Sequence, residues 1–307
     1  MGYWYYKTGD KAKALSFTEK AIELAKKLND FRLIQLSYEV LPNYIGDRKK
    51  SIEYLEKSLK IALDTGDMFS AVRVYNLLAN RLPAEENERK LECHEKGLEL
   101  AKKIGFIYWQ SVTGDLLAFQ YLNMGNVNKA FLLLEESVTL DRKAGNMTQL
   151  PISLDLLGFA YQVLGEWSKS EQYYKEALSI SQDFWSFSFL GWFHLDKGEH
   201  AKAREFYEKA YDIFEKAGKK YSEARLFVIW TERARAWTYI ELGEFEKAKN
   251  LIDSLHNFAL EEKDRELIAT VDVLGAMLSR AQKKWEESIE LFEKGLQEFE
   301  DLNARKW

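Results

Sequence analysis

Hydrophobic positions recur along this chain at helical spacing and are broken at regular intervals by short polar turns. The stretch from Leu154 to Leu178, LDLLGFAYQVLGEWSKSEQYYKEAL, places apolar side chains three and four residues apart on either side of one such turn. Turns of this kind stand at YYKTGD ending in Asp10, YIGD in Asp47, LNMGN in Asn126, VLGE in Glu166, DKGE in Glu199 and ELGE in Glu244. Weaker copies around Glu85 and Lys283 complete the series, with successive turns 33 to 45 residues apart. Six of them carry glycine (Gly9, Gly46, Gly125, Gly165, Gly198 and Gly243), which ends one helix in a left-handed conformation and redirects the chain. The pattern predicts an all-α chain of about eight helix–turn–helix units.

Two columns of small residues sharpen that prediction. Five residues past the turn stand Ala14, Ser51, Ala130, Ser170, Ala203, Ala248 and Ser288, with Lys90 the exception. Twelve past it stand Ala21, Ser58, Gly97, Ser137, Ala177, Ala210 and Gly295, with Leu255 the exception. The columns lie seven residues apart, two turns along one helix face, where small side chains let two backbones approach closely. These residues resemble the tetratricopeptide-repeat signature over essentially the whole chain. The resemblance implies an all-α, right-handed superhelical solenoid of about eight helical hairpins, forming one array over residues 1–307. Its repeats would run 1–30, 31–68, 69–107, 108–147, 148–183, 184–222, 223–265 and 266–307. Most exceed the family's usual period because the second helix runs on, ending at Gly66, Gly105, Gly145 and Gly218.

Pro151 is expected to open a helix, Pro83 to end one, and Pro42 to kink or stop a helix early. Only eight residues precede Gly9, so the first repeat reads as truncated. Tyr3, Trp4, Tyr5 and Tyr6 would then lie partly uncovered, as in a segment of a longer protein or an edge that associates with another copy. The helix from Lys284 to Trp307 is amphipathic and suited to closing the array.

A net charge of −5 argues against direct nucleic-acid binding, which calls for a basic excess. Cys93 is the only cysteine, so neither an internal disulfide nor a cysteine metal cluster can form. With no apolar run long enough to span a membrane and no leader-like N-terminus, a cytoplasmic protein without membrane contact is expected.

In the resembling family, first helices line a concave inner surface. The residue six before each turn then reads as the groove face: Tyr3, Val40, Ala79, Phe119, Phe159, Trp192, Trp237 and Met277. Phe119, Phe159, Trp192 and Trp237 form four consecutive aromatics, with Trp185 and Trp230 two helical turns earlier on the last two faces. Asp115, Asp155 and Arg233, ten before the turn, are the candidate groove charges. The row could anchor a protein or peptide partner, or pack between neighbouring helices with no ligand. Asn76 matches one member of the family's clamp for a terminal carboxylate, but the clamp's other residues are missing.

Catalytic signatures do not emerge. His94, His194, His200 and His256 fit no metal-ligand spacing; His94 and His256 fall on the apolar stripe of second helices. No phosphate-binding glycine loop or nucleophile elbow is present, and Cys93 sits at a packing position. The sequence is therefore expected to encode a non-catalytic protein- or peptide-binding scaffold that needs no cofactor or metal. The alternative is the ligand-sensing or regulatory arm of a larger multidomain regulator.

Overall fold

The computed structural model describes residues 10–45, 47–83, 86–216 and 228–302. Gly9, Gly46 and Gly218, the aromatic residues 3–6 and the last five residues lie outside these, as do the expectations placed on them. The helices are α1 Lys11–Lys27, α2 Phe31–Val40, α3 Arg48–Asp64, α4 Met68–Arg81, α5 Asn87–Lys103, α6 Ile107–Asn123, α7 Val127–Ala144 and α8 Leu150–Val163. They continue as α9 Trp167–Ile180, α10 Phe184–Asp196, α11 His200–Lys216, α12 Arg233–Glu241, α13 Phe245–Glu261, α14 Arg265–Ala281 and α15 Trp285–Asp301. No strand occurs among the described residues.

The chain divides into two compact units, Met1–Gln120 and Tyr121–Trp307. In each, consecutive helices pack as antiparallel hairpins: α2 on α3 and α4 on α5 in the first unit, α8 on α9, α10 on α11 and α14 on α15 in the second. In the second unit the first helices of neighbouring hairpins also touch, α8 with α10, α10 with α12 and α12 with α14.

The small columns explain why the hairpins close. Ala14, Ser51, Ala130, Ser170, Ala203 and Ala248 are fully buried, and Ser288 nearly so. Ser58, Ser137, Ala177 and Ala210 of the second column are buried as well. Leu255, the large exception, is also fully buried, in a core cluster with Ala236, Ile252, Leu267 and Leu274. At the Gly165 turn, Gly165 N–H donates to Gln162 O and Glu166 N–H to Tyr161 O, the paired bonds of a left-handed helix cap. Lys283 makes the same turn with φ 63°, at a cost that glycine avoids.

The prolines act as the sequence indicates. α2 stops at Val40 and a single 3-10 turn, Leu41–Asn43, carries Pro42. Pro151 occupies the first turn of α8, and the cap residue Leu82 is already extended before Pro83. The last helix is observed from Trp285 to Asp301.

Ion pairs link helices one repeat apart. Arg89 pairs with Glu56 33 residues earlier. Arg142 reaches Glu176 at 2.6 Å and Arg204 reaches Glu244 at 2.5 Å, whereas Arg265 reaches Glu298 at 2.5 Å within one hairpin, from α14 to α15. Such partly exposed pairs contribute about 0–1 kcal/mol each, so they mark repeat register more than they hold the fold.

Candidate functional site

A partly exposed aromatic cluster lies in the second unit, along its first helices. Phe159 of α8, Trp192 of α10 and Trp237 of α12 are each half-buried, as is Trp230 in the turn ahead of α12. That turn, Val228–Glu232, has the wide geometry of a π-helix, which often marks functional positions within helices. Ring centroids are 6.1 Å apart for Phe159 and Trp230, 6.2 Å for Trp192 and Trp230, and 6.4 Å for Trp192 and Trp237. All three contacts are edge-to-face, the favourable arrangement for aromatic quadrupoles.

Arg233 completes this cluster. Its guanidinium carbon lies 5.5 Å from the Trp192 ring centroid and 5.7 Å from that of Trp230, a double cation–π contact. Burial lowers its pKa to about 10, against opposing contributions from Tyr207 and Glu266. The side chain is half-buried by exposed area, so the guanidinium is desolvated by the rings while part of the residue still meets solvent. The Trp237 indole N–H donates to Glu241 Oε1 at 3.0 Å. That of Trp192 is buried without an acceptor among the described residues.

A layer of polar side chains joins neighbouring first helices within each unit. Ser186 Oγ donates to Asp155 Oδ2 at 2.8 Å, joining α10 to α8. Thr231 Oγ1 donates to Ser188 Oγ at 2.8 Å, joining the π turn to α10. In the first unit Asn76 Nδ2 donates to Thr113 Oγ1 at 2.8 Å, joining α4 to α6. Asp155 is 0% exposed and Asp115 2%, so neither is the open groove charge expected from the sequence. A carboxylate between two packed helices loses its water, and Asp155 answers with a pKa well above the usual range; burial is the main cause, with the Ser186 hydroxyl opposing it.

The remaining candidates separate. Phe119 is half-buried and belongs to the first unit. Trp185 packs beside Phe184 at 4.8 Å, against the core of Phe187, Ala210 and Phe214. Asn76 is 3% exposed and its Oδ1 lies 3.0 Å from His94 Nδ1, so it serves the interior and not a clamp. Burial holds His94 down at about 4, in its neutral form. His194 contacts Glu199 at 2.8 Å and stacks on Phe206, while His256 is half-buried on α13. Cys93 is 5% exposed and burial pushes its thiol up to about 11, far from a nucleophile's range.

Sequence reasoning missed the polar layer, although its signal is present. Thr113, Ser153, Ser186 and Thr231 all stand twelve residues before a turn glycine.

Two family models described as tetratricopeptide repeat match residues 152–183 and 186–216, the hairpins that carry Phe159 and Trp192. No curated protein matches the chain significantly. Among solved structures, the chain is similar in fold to the Rap conjugation gene regulator of plasmid pLS20 in complex with the Phr* peptide. That likeness has a TM-score of 0.62 at 14% identity, over 89% of this chain and 76% of that one. Aspartyl phosphate phosphatase F from Bacillus subtilis is similar with a TM-score of 0.61 at 15% identity, over 90% and 73%. A signal transduction ATPase with numerous domains, carrying a tetratricopeptide repeat sensor and coming from Pyrococcus horikoshii, gives a TM-score of 0.51 at 19% identity, over 97% and 51%. No helix among the described residues is long and apolar enough to cross a membrane.

Proposed function

Because the chain is a tetratricopeptide-repeat protein, we propose that it is a non-catalytic scaffold that binds a protein or peptide segment on the aromatic face of its second unit. The observation that supports this reading is the cluster of Phe159, Trp192 and Trp237 on first helices with Trp230 in the π turn ahead of α12, four large rings that all remain partly open to solvent. Partly exposed aromatic rings are the usual anchors of interfaces, since they bury much apolar area for little lost side-chain entropy. The Rap regulator, a protein of similar fold, forms a complex with the Phr* peptide, which supports peptide binding as a use of this fold.

The test is the double variant Phe159→Ala, Trp192→Ala, compared with wild type in capture from source lysate with mass spectrometry. A partner retained by wild type and lost by the variant, with helical content and melting nearly unchanged, supports the reading. Collapse of the fold in that variant would mean the rings are core, and the reading fails.

A second use has its own support. The likeness to a sensor-bearing regulator, of which this chain spans about half, favours a ligand-sensing arm within a larger protein. Binding to the same face by a small molecule, with no protein captured, is the outcome that prefers it.

A further inference from the structure

We propose that α15 of one copy of this chain docks α1 of a second copy, side by side and parallel, as a two-helix coiled-coil contact. It makes no use of the aromatic face.

Trp285, Ile289, Phe292 and Leu296 follow one another at steps of four, three and four residues, the spacing of a coiled-coil seam. Trp285 is 60% exposed, Ile289 58% and Leu296 59%, so one apolar stripe of α15 faces solvent. Elsewhere in the second unit such a face is covered. Nine residues past their turns Leu134, Tyr174 and Tyr207 are fully buried, and Tyr174 packs with Leu190 and Phe193 of α10. Phe292 holds the same place in α15 and is only half-buried. Glu286, Glu293 and Glu300, seven residues apart and all exposed, form a row along one side of the stripe.

The matching surface is on α1. Phe17, Ala21, Leu24 and Leu28 repeat the same steps, with Leu24 59% and Leu28 75% exposed. Lys13, Lys20 and Lys27, again seven apart and all exposed, flank them. Lys13 pairs with Asp10 at 2.8 Å and Lys20 lies 5.8 Å from the Phe17 ring, surface contacts that exchange at little cost.

The two rows also set orientation. In the heptad these steps define, each lysine stands just before a seam position and each glutamate just after one. Those places meet across a parallel pair of helices. Two copies of α15 laid antiparallel would instead oppose glutamate to glutamate, and two of α1 lysine to lysine. The contrast extends over both helices: α15 has seven acidic residues and one lysine, α1 five lysines and two glutamates. Each helix has 17 residues, so the stripes match in length. Since every copy carries one of each, the contact is heterologous and joins the first unit of one copy to the second unit of the next.

The test follows the mass of the full chain by analytical ultracentrifugation from micromolar to millimolar concentration, in low and in high salt. Wild type should grow beyond a monomer as concentration rises, and less so in high salt. The triple variant Glu286→Lys, Glu293→Lys, Glu300→Lys should weaken association about ten-fold, and so should Lys13→Glu, Lys20→Glu, Lys27→Glu. Mixed in equal amounts, the two variants should associate again, because each supplies the charge that the other now lacks. Ile289→Ser with Leu296→Ser, which keeps every charge and alters only exposed positions, should also lose association. Circular dichroism checks that each variant stays helical. A wild type that is monomeric throughout overturns the proposal. So does growth that persists in the serine variant or in both charge variants, or that mixing fails to restore.

Discussion

The two units are built on one repeat template and fill it differently. Both leave large apolar residues open near helix starts, Phe31 at 56% and Phe69 at 55% in the first and Trp285 at 60% in the second, so the difference lies in the interiors. The interior of the first unit holds a polar pair, His94 with Asn76, and the buried Glu39, which the partly exposed Arg73 reaches from outside. In the second unit Tyr174, Tyr207 and Phe193 are fully buried. The difference traces to two coupled columns. Nine residues past the turn the second unit has Tyr174 and Tyr207, and seven before the same turns it has Gly158 and Gly191. A Cβ at Gly191 would lie 2.5 Å from the Tyr207 ring, and one at Gly158 2.9 Å from that of Tyr174. In the first unit the same columns hold Thr18, Leu55 and His94 after the turn, and Glu39 and Leu78 before it. A repeat thus chooses its interior by matching volumes across a hairpin, and large buried rings require glycine opposite.

Breaking that match should have the largest effect. Gly191→Ala drives a methyl group into a ring with no free space, and overpacking of this kind costs about 3 kcal/mol. Urea unfolding should show the loss, and adding Tyr207→Leu should recover most of it. An undiminished midpoint in Gly191→Ala would refute the volume argument.

Acid and base should separate the units next. His94 titrates at 6.5 when unfolded but near 4 in the fold, so between these values the unfolded chain takes the proton first. The first unit therefore loses up to about 3 kcal/mol as pH falls from 6.5 through 4. Asp155 has the opposite sign: its pKa is raised on folding, so its contribution to the second unit is lost as pH rises above the usual carboxylate value through the folded one. Hydrogen exchange of α4 and α5 against α8 and α10 across this range should show the two slopes. His94→Gln should flatten the first and Asp155→Asn the second. Parallel slopes in both units would contradict the assignment.

The smallest effect concerns turns. Lys283 in the second unit and Asn29 in the first both have positive φ, at 63° and 53°. Lys283→Gly should stabilise by about 0.5–1 kcal/mol, and Asn29→Gly by less, because asparagine tolerates this conformation. Thermal melts of the two variants give the ranking directly.

Much of this arrangement could be read before the structure, because it rests on local rules. The small columns and turn glycines are positions where only small or left-handed residues fit, and spacing alone exposes them. Asp155 reads from the sequence as a groove charge, because a lone carboxylate on a helix looks solvated until its partner, Ser186 31 residues away, is counted. Trp185 and Trp230 look equivalent by spacing. The π turn at Val228–Glu232, which no proline or glycine announces, brings Trp230 to Phe159 and Trp192, whereas Trp185 begins an ordinary helix and packs on Phe187. Tertiary choices of that kind leave no local mark.

Cys93 has a practical consequence. It is the chain's sole thiol, it is buried in the first unit against Leu55, Val74 and Leu78, and its raised pKa keeps it unreactive while that core is closed. Reaction with an alkylating reagent is then slow through the pocket that Cys93 lines with Tyr75, Leu78 and Arg89, and gains speed when the core around α3, α4 and α5 opens. The natural protein therefore carries its own clock for breathing of one half: labelling rates time the first unit, without mutation or dye, while the second unit stays chemically silent.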